Sequence, residues 1–443
     1  MTLRVKLIIL LFLTLSTLPR FAFSNIVDIN GSLANYYTLR ATGSNKDQNL
    51  TTIFTLNGGD GFSDRFTAAI QAGGIFDLDG KHSGTPLSDI YDTFGYKAIP
   101  RIYYAYLDAK DLGPIYKMRL GRQYNYEFES LQFDGGSFES DPGYPVSLKV
   151  YGGVPVHQFE DQWGHDSGDW LAGGALDMRL ASQLKGRIDF VHIKDDGSGY
   201  GIARGDRADN LFGLSLWWDI NKYFEVSSRF TSFFDQVKDA QFSTLLKWGE
   251  KDFSLRYNFY TLINAYSFRV ADLDGFGIAG AYEPYYESSL SIYKGFLSRF
   301  AVDGGLSIRR LVEKQIANAF NHGFERIYIS LSAYDIPIKD MSMTLTEDYY
   351  HGEDNTLKNN SHGTSFYLTK GFFEKKLELS FGTAFYFYRY NVLNGDESSN
   401  VQTYFLETGW KIIKALKAKI KYEFEKNEFD NFHTLNAGVT WNF

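Results

Sequence analysis

The 443-residue sequence contains no cysteine and only 9 prolines, and beyond its first two dozen residues it has no long apolar run. The absence of cysteine excludes a disulfide scaffold, a cysteine-ligated zinc or iron–sulfur site, and covalently attached c-type haem. With 45 basic against 53 acidic residues, the formal net charge of −8 excludes the basic footprint of a nucleic-acid-binding protein. A mean hydropathy of −0.28 argues against a bundle of transmembrane helices. What the chain does contain is 17% aromatic residues and 42 glycines.

The N-terminal segment has the layout of an export signal. Arg4 and Lys6 precede an apolar stretch at residues 7–18, and Ala22 and Ser24 are small residues two positions apart. This pattern is typical of a secretory signal peptide, and the stretch is too short to span a bilayer as a helix. We predict that residues 1–24 are a signal peptide cleaved after Ser24 and that residues 25–443 form a single exported domain.

The exported part alternates between apolar and polar residues with period two. In the last twelve residues one face of an extended strand would carry Leu435, Ala437, Val439, Trp441 and Phe443, and the other face small polar residues. Residues 251–260, 326–334 and 416–424 repeat the scheme. No convincing amphipathic helix with a period of 3.6 follows the signal segment.

The lengths and spacings of these segments predict a membrane-spanning barrel. The segments are about 9–13 residues long, which suits a tilted strand that crosses a membrane. Short links such as residues 110–114 and 335–339 alternate with long links such as 78–98 and 262–285. We predict an all-β fold, a closed antiparallel transmembrane β-barrel of about 22 strands with short periplasmic turns and longer extracellular loops. The range is 18–22 strands because the segments at 49–56 and 129–137 are weak.

Aromatic residues cluster near the predicted strand ends, for example Trp217 and Trp218, Tyr349 and Tyr350, and residues 385–388. Amphipathic rings favour the boundary between membrane and water, so we interpret these clusters as two girdles. A soluble periplasmic β-sandwich is the alternative, since it would also alternate. It would rarely use so much Tyr and Phe on its buried face.

Two short segments carry a family resemblance. The last strand, which ends Val-Thr-Trp-Asn-Phe at residues 439–443, resembles the terminal signal of outer-membrane β-barrel proteins. That resemblance implies recognition of Trp441 and Phe443 by the barrel-assembly machinery. Residues 116–123 are similar to a strand common in Gram-negative porins. A looser resemblance connects the whole chain to the barrels that sheath multihaem cytochromes in porin–cytochrome conduits.

If the apolar face meets lipid, the opposite face lines the lumen. We predict that six acids face inward, Asp189, Glu225, Asp252, Asp303, Glu378 and Glu423. Eleven predicted pore-lining bases outnumber them: Lys117, Arg119, Lys185, Arg187, Arg229, Arg256, Arg309, Arg326, Lys417, Lys419 and Lys421. Such an excess predicts a mild preference for anions. The alternative is that bases and acids pair across strands. The row Lys417, Lys419 and Lys421 would repel itself unless something compensates it.

Motifs of catalysis and metal binding are missing from the sequence. It contains no G-x-S-x-G nucleophile elbow, no H-E-x-x-H and no P-loop. His157 and His165 share a long segment with Asp161, Asp166 and Asp169 and could bind a divalent cation, although a solvated acidic loop is the favoured interpretation. We therefore predict a non-enzymatic protein without metal or cofactor.

These observations together predict a porin-like channel in a bacterial outer membrane. It would allow passive diffusion of small hydrophilic solutes and be surrounded by outer-membrane lipid. The alternative hypothesis is a non-enzymatic scaffold that sheathes a multihaem cytochrome or another periplasmic partner in an electron-transfer conduit.

Overall fold

Twenty-two β-strands follow one another along the chain and belong to a single sheet. The computed structural model describes residues 27–43, 45–60, 65–79, 87, 97–125, 131–156, 168–195, 207–233, 236–264, 284–313, 322–352, 360–388, 399–428 and 430–443. The signal peptide predicted for residues 1–24 lies outside these ranges. The strands are β1 (Val27–Thr42), β2 (Asn45–Asp60), β3 (Phe66–Asp77), β4 (Ala98–Leu112), β5 (Ile115–Asn125), β6 (Leu131–Ser140), β7 (Val146–Pro155), β8 (Trp170–Ala181), β9 (Leu184–Asp195), β10 (Arg207–Asn221), β11 (Phe224–Phe233), β12 (Gln236–Trp248), β13 (Phe253–Leu262), β14 (Tyr285–Phe296), β15 (Phe300–Leu311), β16 (Phe324–Tyr334), β17 (Met341–Gly352), β18 (Ser361–Phe372), β19 (Leu377–Tyr388), β20 (Ser399–Lys411), β21 (Leu416–Lys426) and β22 (Asn431–Asn442).

The sheet closes on itself. Every strand pairs antiparallel with the next, and β22 pairs with β1 from Ser32 opposite Asn442 to Thr42 opposite Phe432. The predicted closed antiparallel barrel of about 22 strands is therefore confirmed. The two segments that were weak in the sequence are full strands, β2 and β6. Their polar and glycine-rich stretches pair as well as any other because the ladder uses only backbone groups.

Links between strands differ in length on the two sides of the barrel. On the chain-end side, where β1 begins and β22 ends, every link has two to six residues, as in 113–114, 182–183, 297–299 and 335–340. The other side carries the longest links, residues 78–97 and 263–284, although the links 43–44 and 234–235 have only two residues each. Short turns on the chain-end side are typical of the periplasmic end of an outer-membrane barrel.

Barrel width follows from the strand number. Twenty-two strands spaced about 4.8 Å apart and tilted about 40° close into a ring roughly 44 Å across, measured between backbones. The one helical element in the described ranges is a single 3₁₀ turn at Gly249–Lys251. Within the same ranges, no helix has the length and apolar character needed to cross a bilayer.

The carbonyl groups at a bulge in β4 accept hydrogen bonds from a side chain of β6. Tyr103 has no partner in the β3–β4 register, which jumps from Tyr104 to Ile102. Gln132 Nε2 donates to the carbonyl oxygens of Tyr103, at 2.7 Å, and Ile102, at 3.3 Å. Backbone groups inside a membrane must find partners within the protein, so the side chain of Gln132 replaces the missing ladder bonds.

The C-terminal residue helps to close the seam between β22 and β1. Gly31 N–H donates to the Phe443 carbonyl oxygen at 2.9 Å, and Phe443 N–H donates to the Gly31 carbonyl oxygen at 3.0 Å. The Phe443 ring lies over Gly31, where a Cβ atom would stand 2.7 Å from ring atom Cζ. Phe443 thus has a structural role in the closed barrel. Recognition of Trp441 and Phe443 by the barrel-assembly machinery stays a prediction.

Candidate functional site on the inner wall

The two faces of the sheet differ in chemistry. On β16 the large apolar side chains Ile327, Ile329 and Leu331 are about half exposed, and they alternate with Tyr328 and Ser330. Exposed apolar side chains form the lipid-facing surface of a membrane barrel, so the face of Tyr328 and Ser330 is the inner wall. Because residues directly opposite in the ladder share a face, the register carries this assignment around all 22 strands.

All eleven predicted pore-lining bases lie on the inner wall. The register joins them to residues already assigned there; for example, Arg256 is opposite Ser291, which is opposite Gly305, which is opposite Tyr328. Of the six predicted inward acids, Asp252 lies in the turn before β13 with a φ of 46° and is not in a strand. Lining of an open, conducting pore by these residues stays a prediction.

Arg119 on β5 forms a bidentate, largely buried ion pair on the inner wall. Its Nε and Nη2 atoms donate to the two carboxylate oxygens of Asp108 on β4 at 2.7 and 2.9 Å. The guanidinium carbon also lies 3.6 Å from the centroid of the Tyr106 ring. The Asp108 side chain is 6% exposed and that of Arg119 20%. Two parallel charge-assisted hydrogen bonds and a stacked ring hold this guanidinium in one geometry.

Similar pairs recur around the barrel. Arg187 donates from Nε to Asp189 at 2.9 Å and lies 3.6 Å from Asp177 across the β8–β9 ladder. Arg309 donates to Glu287 at 2.7 Å from Nη2. The remaining cross-strand pairs of the inner wall include Arg40–Asp47, Lys149–Glu139 and Arg326–Asp348.

The lysine row on β21 is compensated at two of its three positions. Lys419 Nζ lies 2.9 Å from a Glu407 carboxylate oxygen on β20, and Lys421 Nζ lies 2.6 Å from Glu423 on its own strand. Lys417 is opposite Lys411, and within the described ranges it has no carboxylate within 4.0 Å. Two carboxylates therefore offset two of the three like charges.

The inner wall is closer to electrical balance than the sequence indicated. Seven of the eleven bases lie within 4.0 Å of a carboxylate. Sequence reasoning missed several of the partner acids on that wall: Asp47, Asp108, Glu139, Asp177, Glu287, Asp348 and Glu407. These carboxylates lie on strands and face the lumen, so a large share of the acidic charge is on the inner wall itself. Several of these strands, such as β4, β14, β17 and β20, carry both aromatic and charged residues on the inner face, which obscures the alternation of apolar and polar residues in the sequence.

Several inward rings lie flat over glycines of the next strand. A Cβ atom on Gly382 would stand 2.1 Å from Cε1 of Phe405, its direct partner in the ladder. The same arrangement joins Tyr386 to Gly363, at 2.2 Å, and Tyr328 to Gly305, at 2.6 Å. Tyr36 over Gly438 and Tyr151 over Gly173 complete the set. Glycine is required in these places because any side chain would displace the ring.

The predicted aromatic girdles need correction. Adjacent aromatic residues in a strand must face opposite sides, so only one of each pair can reach lipid. Trp218 shares the outer face with Leu216, whereas Trp217 is opposite the inner-wall residue Lys185. Likewise Tyr349 is outward and 47% exposed, and Tyr350 is inward, stacked on Phe324 with ring centroids 5.1 Å apart. About half of each cluster belongs to the lumen.

An apolar cluster covers part of the inner wall near the extracellular ends of β6 to β11. Its members are buried and share the face of Ser137 and Arg187, and they are Leu131, Phe133, Tyr151, Leu171, Val191, Ile193, Leu211 and Phe233. Sequence alternation had assigned apolar residues to the lipid face, so this cluster was missed. The signal that could have revealed the cluster is the presence, in each of six consecutive strands, of large apolar residues at the alternate positions that otherwise carry polar residues.

The described residues show no metal centre. No group of three or more His, Asp or Glu side chains in the described ranges is arranged to hold a metal ion. The segment with His157, His165, Asp161 and Asp166 lies outside these ranges, and of the residues named with it only Asp169 lies inside. The absence of enzymatic activity and of a cofactor stays a prediction.

A closed antiparallel barrel with a mostly apolar outer face and a polar, charge-paired inner wall is the fold of a bacterial outer-membrane β-barrel. No family model and no curated protein matches this chain.

Solved structures show similarity at the level of the barrel. The translocation pore of the P pilus usher PapC is similar with a TM-score of 0.52 at 9% identity, covering 94% of this chain and 99% of that chain. OccAB4 of Acinetobacter baumannii has a TM-score of 0.46 at 10% identity, covering 94% and 98%. A BenF-like porin from Pseudomonas fluorescens Pf-5 has a TM-score of 0.45 at 11% identity, covering 94% and 98%. The usher supports the fold alone, and the two porins, with lower TM-scores, add nothing to it.

Proposed function

We propose that this protein is an outer-membrane channel for passive diffusion of small hydrophilic solutes. The observation that supports the proposal is the polar inner wall. It carries ion pairs such as Arg119–Asp108 and hydroxyl pairs such as Ser330–Thr346, while the large apolar side chains of the same strands face outward. Polar and charged side chains on the inner wall favour a water-filled lumen, and a water-filled lumen allows small solutes to pass. Export through a signal peptide cleaved after Ser24 and insertion into the outer membrane belong to the same proposal.

The test is conductance of the purified, refolded protein in a planar lipid bilayer. We expect stable single-channel steps in potassium chloride and swelling of proteoliposomes in small sugars. A folded barrel that never conducts, with folding shown by heat-modifiable migration in gel electrophoresis, would contradict the proposal.

We further propose that charge selectivity is weak and favours anions. Lys185, Arg256 and Lys417 have no carboxylate within 4.0 Å in the described part of the chain, whereas most other inward bases are paired. The inward acids Asp303 and Glu378 offset part of this charge. Reversal potentials in a salt gradient measure the preference, and a strong selectivity for cations would contradict it.

A scaffold around a periplasmic partner is the second candidate function. It is favoured by the periplasmic turns, where Leu297, Ile338, Phe373 and Ile413 are between 56% and 86% exposed on four consecutive turns. Exposed apolar groups in such a row are typical of a contact surface. Co-purification with a haem protein, lost in Leu297→Ser and Phe373→Ser variants, would support the scaffold. Conductance without any such partner would contradict it.

A further inference from the structure

One sector of the inner wall combines rings with hydroxyl groups and has no charge. It lies on β16 to β19, between the Arg326–Asp348 pair toward the extracellular end and Glu378 at the periplasmic end. Every inward residue between these limits lies in the described ranges, and none is charged. We call this sector, together with Phe405 of β20, the ring–hydroxyl panel. It comprises Tyr328, Ser330, Ser332, Tyr334, Ser342, Thr344, Thr346, Ser365, Tyr367, Thr369, Ser380, Gly382, Ala384, Tyr386 and Phe405.

The rings of the panel are fixed in orientation. Phe405 lies over Gly382 and reaches across β19 to Tyr367, with ring centroids 5.6 Å apart and planes inclined by 34°. Tyr386 and Tyr328 lie over Gly363 and Gly305 in the same way. Each of these three rings leans toward the preceding strand. Lys421 Nζ lies 4.8 Å from the centroid of the Phe405 ring, and the Arg326 guanidinium carbon lies 5.6 Å from that of the Tyr328 ring. Tyr367, between these two edges, is 40% exposed on the inner wall.

The hydroxyl groups of the panel form pairs between strands. Ser330 and Thr346 lie 2.7 Å apart, Ser332 and Thr344 3.0 Å, and Thr369 and Ser380 2.9 Å. In each pair one hydroxyl donates to the other, which leaves a second O–H and further lone pairs. In the Ser330–Thr346 and Ser332–Thr344 pairs these can serve a solute or water, whereas Ser380 is buried, with 6% exposure, and serves to hold Thr369. The panel therefore offers flat apolar faces beside neutral donors and acceptors.

The opposite part of the wall is different in kind. On β4 to β9 the inward residues include Asp108, Arg119, Lys149, Arg187 and Asp189. That part of the wall attracts a charged solute through its charge. The absence of charge on the panel thus distinguishes its ligand from the ions that the rest of the lumen accommodates.

We propose that the ring–hydroxyl panel is a binding site for uncharged sugars on their way through the lumen. A pyranose ring has apolar C–H faces that stack on aromatic faces and an equatorial rim of hydroxyls that bond to Ser and Thr. Cations stand only at the edges of the panel, where Lys421 lies over Phe405 and Arg326 over Tyr328, and the hydroxyl rows between them are neutral. An apolar solute would leave those hydroxyl rows without partners. This inference rests on the proposed channel function and names its class of solute.

The test is binding of a linear glucose hexamer, maltohexaose, to the full-length barrel in a zwitterionic detergent. Saturation-transfer NMR, with irradiation of the protein aromatic protons, reports contact between rings and sugar C–H groups. We expect transfer to maltohexaose and none to polyethylene glycol of equal mass. Equal transfer to both, or none to the sugar, would overturn the proposal.

Substitutions locate the site. Loss of a stacked ring should raise the dissociation constant of maltohexaose about three- to tenfold in Tyr367→Ala and Phe405→Ala. Phe405→Tyr keeps the ring and should restore binding. Phe381→Ala removes a ring of β19 that faces lipid and is 43% exposed, and it should leave binding unchanged. If Phe405→Ala does not fold, Tyr367→Ala decides, because Tyr367 covers no glycine.

Two failures are distinguishable. A barrel that conducts salt but shows no sugar contact would overturn the panel and leave the channel intact. A barrel that binds maltohexaose through these rings but never conducts would overturn the channel and leave a sugar-binding barrel. Equal affinities of Tyr367→Ala and Phe381→Ala would show that the sugar binds elsewhere.

Discussion

Removing the charge of Asp108 is the sharpest test of the inner wall. The substitution Asp108→Asn keeps the shape of the side chain but leaves Arg119 without its two charge-assisted bonds of 2.7 and 2.9 Å. Lys117, whose Nζ lies 3.8 Å from the same carboxylate, loses its partner too. Removing one member of a buried pair costs about 3–5 kcal/mol, and the 20% exposure of Arg119 reduces this through solvent screening. We expect a loss of about 2–4 kcal/mol of unfolding free energy.

The measurement is reversible urea unfolding of the refolded barrel in lipid vesicles, followed by tryptophan fluorescence. The control is Glu250→Gln, since Glu250 and its partner Lys222 lie 4.0 Å apart with side chains 77% and 71% exposed. An exposed pair contributes about 0–1 kcal/mol, so this variant should unfold almost like the parent.

A double substitution separates the pair from its surroundings. Arg119→Met in the Asp108→Asn background removes the unpaired cation, and a buried pair replaced by uncharged groups often costs little. We expect the double variant to be more stable than the sum of the two single losses predicts, by about 1–3 kcal/mol. If the losses simply add, or if Asp108→Asn behaves like Glu250→Gln, then the pair does not stabilise the wall and the reasoning is refuted.

Three further outcomes follow from the structure. Gly382→Ala places a Cβ atom 2.1 Å from the ring of Phe405, and overpacking of this kind should lower the unfolding free energy in urea by about 1–3 kcal/mol. The control is Gly409→Ala, which has no atom within 4 Å of its Cβ position and should cost less than half as much. Glu407→Gln leaves Lys419 unpaired on the inner wall, so the reversal potential in a salt gradient should move toward anions, and a shift toward cations would contradict the assignment. The neighbouring Thr42 side chain and the Asn431 N–H, which donates to the Asp430 carboxylate at 2.8 Å, lower the pKa of Asp430 in the link before β22. Its contribution to stability is therefore present above the unfolded pKa and is lost as pH falls through the folded value. The difference in stability between the parent and Asp430→Asn should vanish in acid, and a difference that grows in acid would be inconsistent with this assignment.

The architecture could be predicted from the sequence because it depends on a repeated local pattern. A period of two along β22 and β21, and alternating short and long links, are enough to indicate membrane-spanning strands. The inner-face assignment of Lys417, Lys419 and Lys421 followed from the same pattern, since a strand side chain can only face one way or the other.

The acidic partners of inward bases such as Arg119 and Lys419 could not be predicted from the sequence. Asp108 and Glu407 lie on neighbouring strands, and which residue stands opposite which depends on register, which a single strand does not specify. The bulge at Tyr103 shifts the register of β3 and β4 by one residue, which no composition rule anticipates. The rings over glycine were hidden for the same reason, because Phe405 and Gly382 are 23 positions apart and meet only through the ladder.

The scarcity of cysteine, of net positive charge and of long apolar runs was informative by itself. Those absences and the alternation determined the class of fold, because a polar chain can lie in a membrane only as a closed sheet with one apolar face. Tertiary structure alone decided the electrostatics and chemistry of the lumen. Pairing across strands brings Arg119 to Asp108 and Lys419 to Glu407, so a wall that looked basic along each strand is close to balanced around the barrel. Charge and ring contacts are properties of neighbouring strands, and only closure of the sheet makes those strands neighbours.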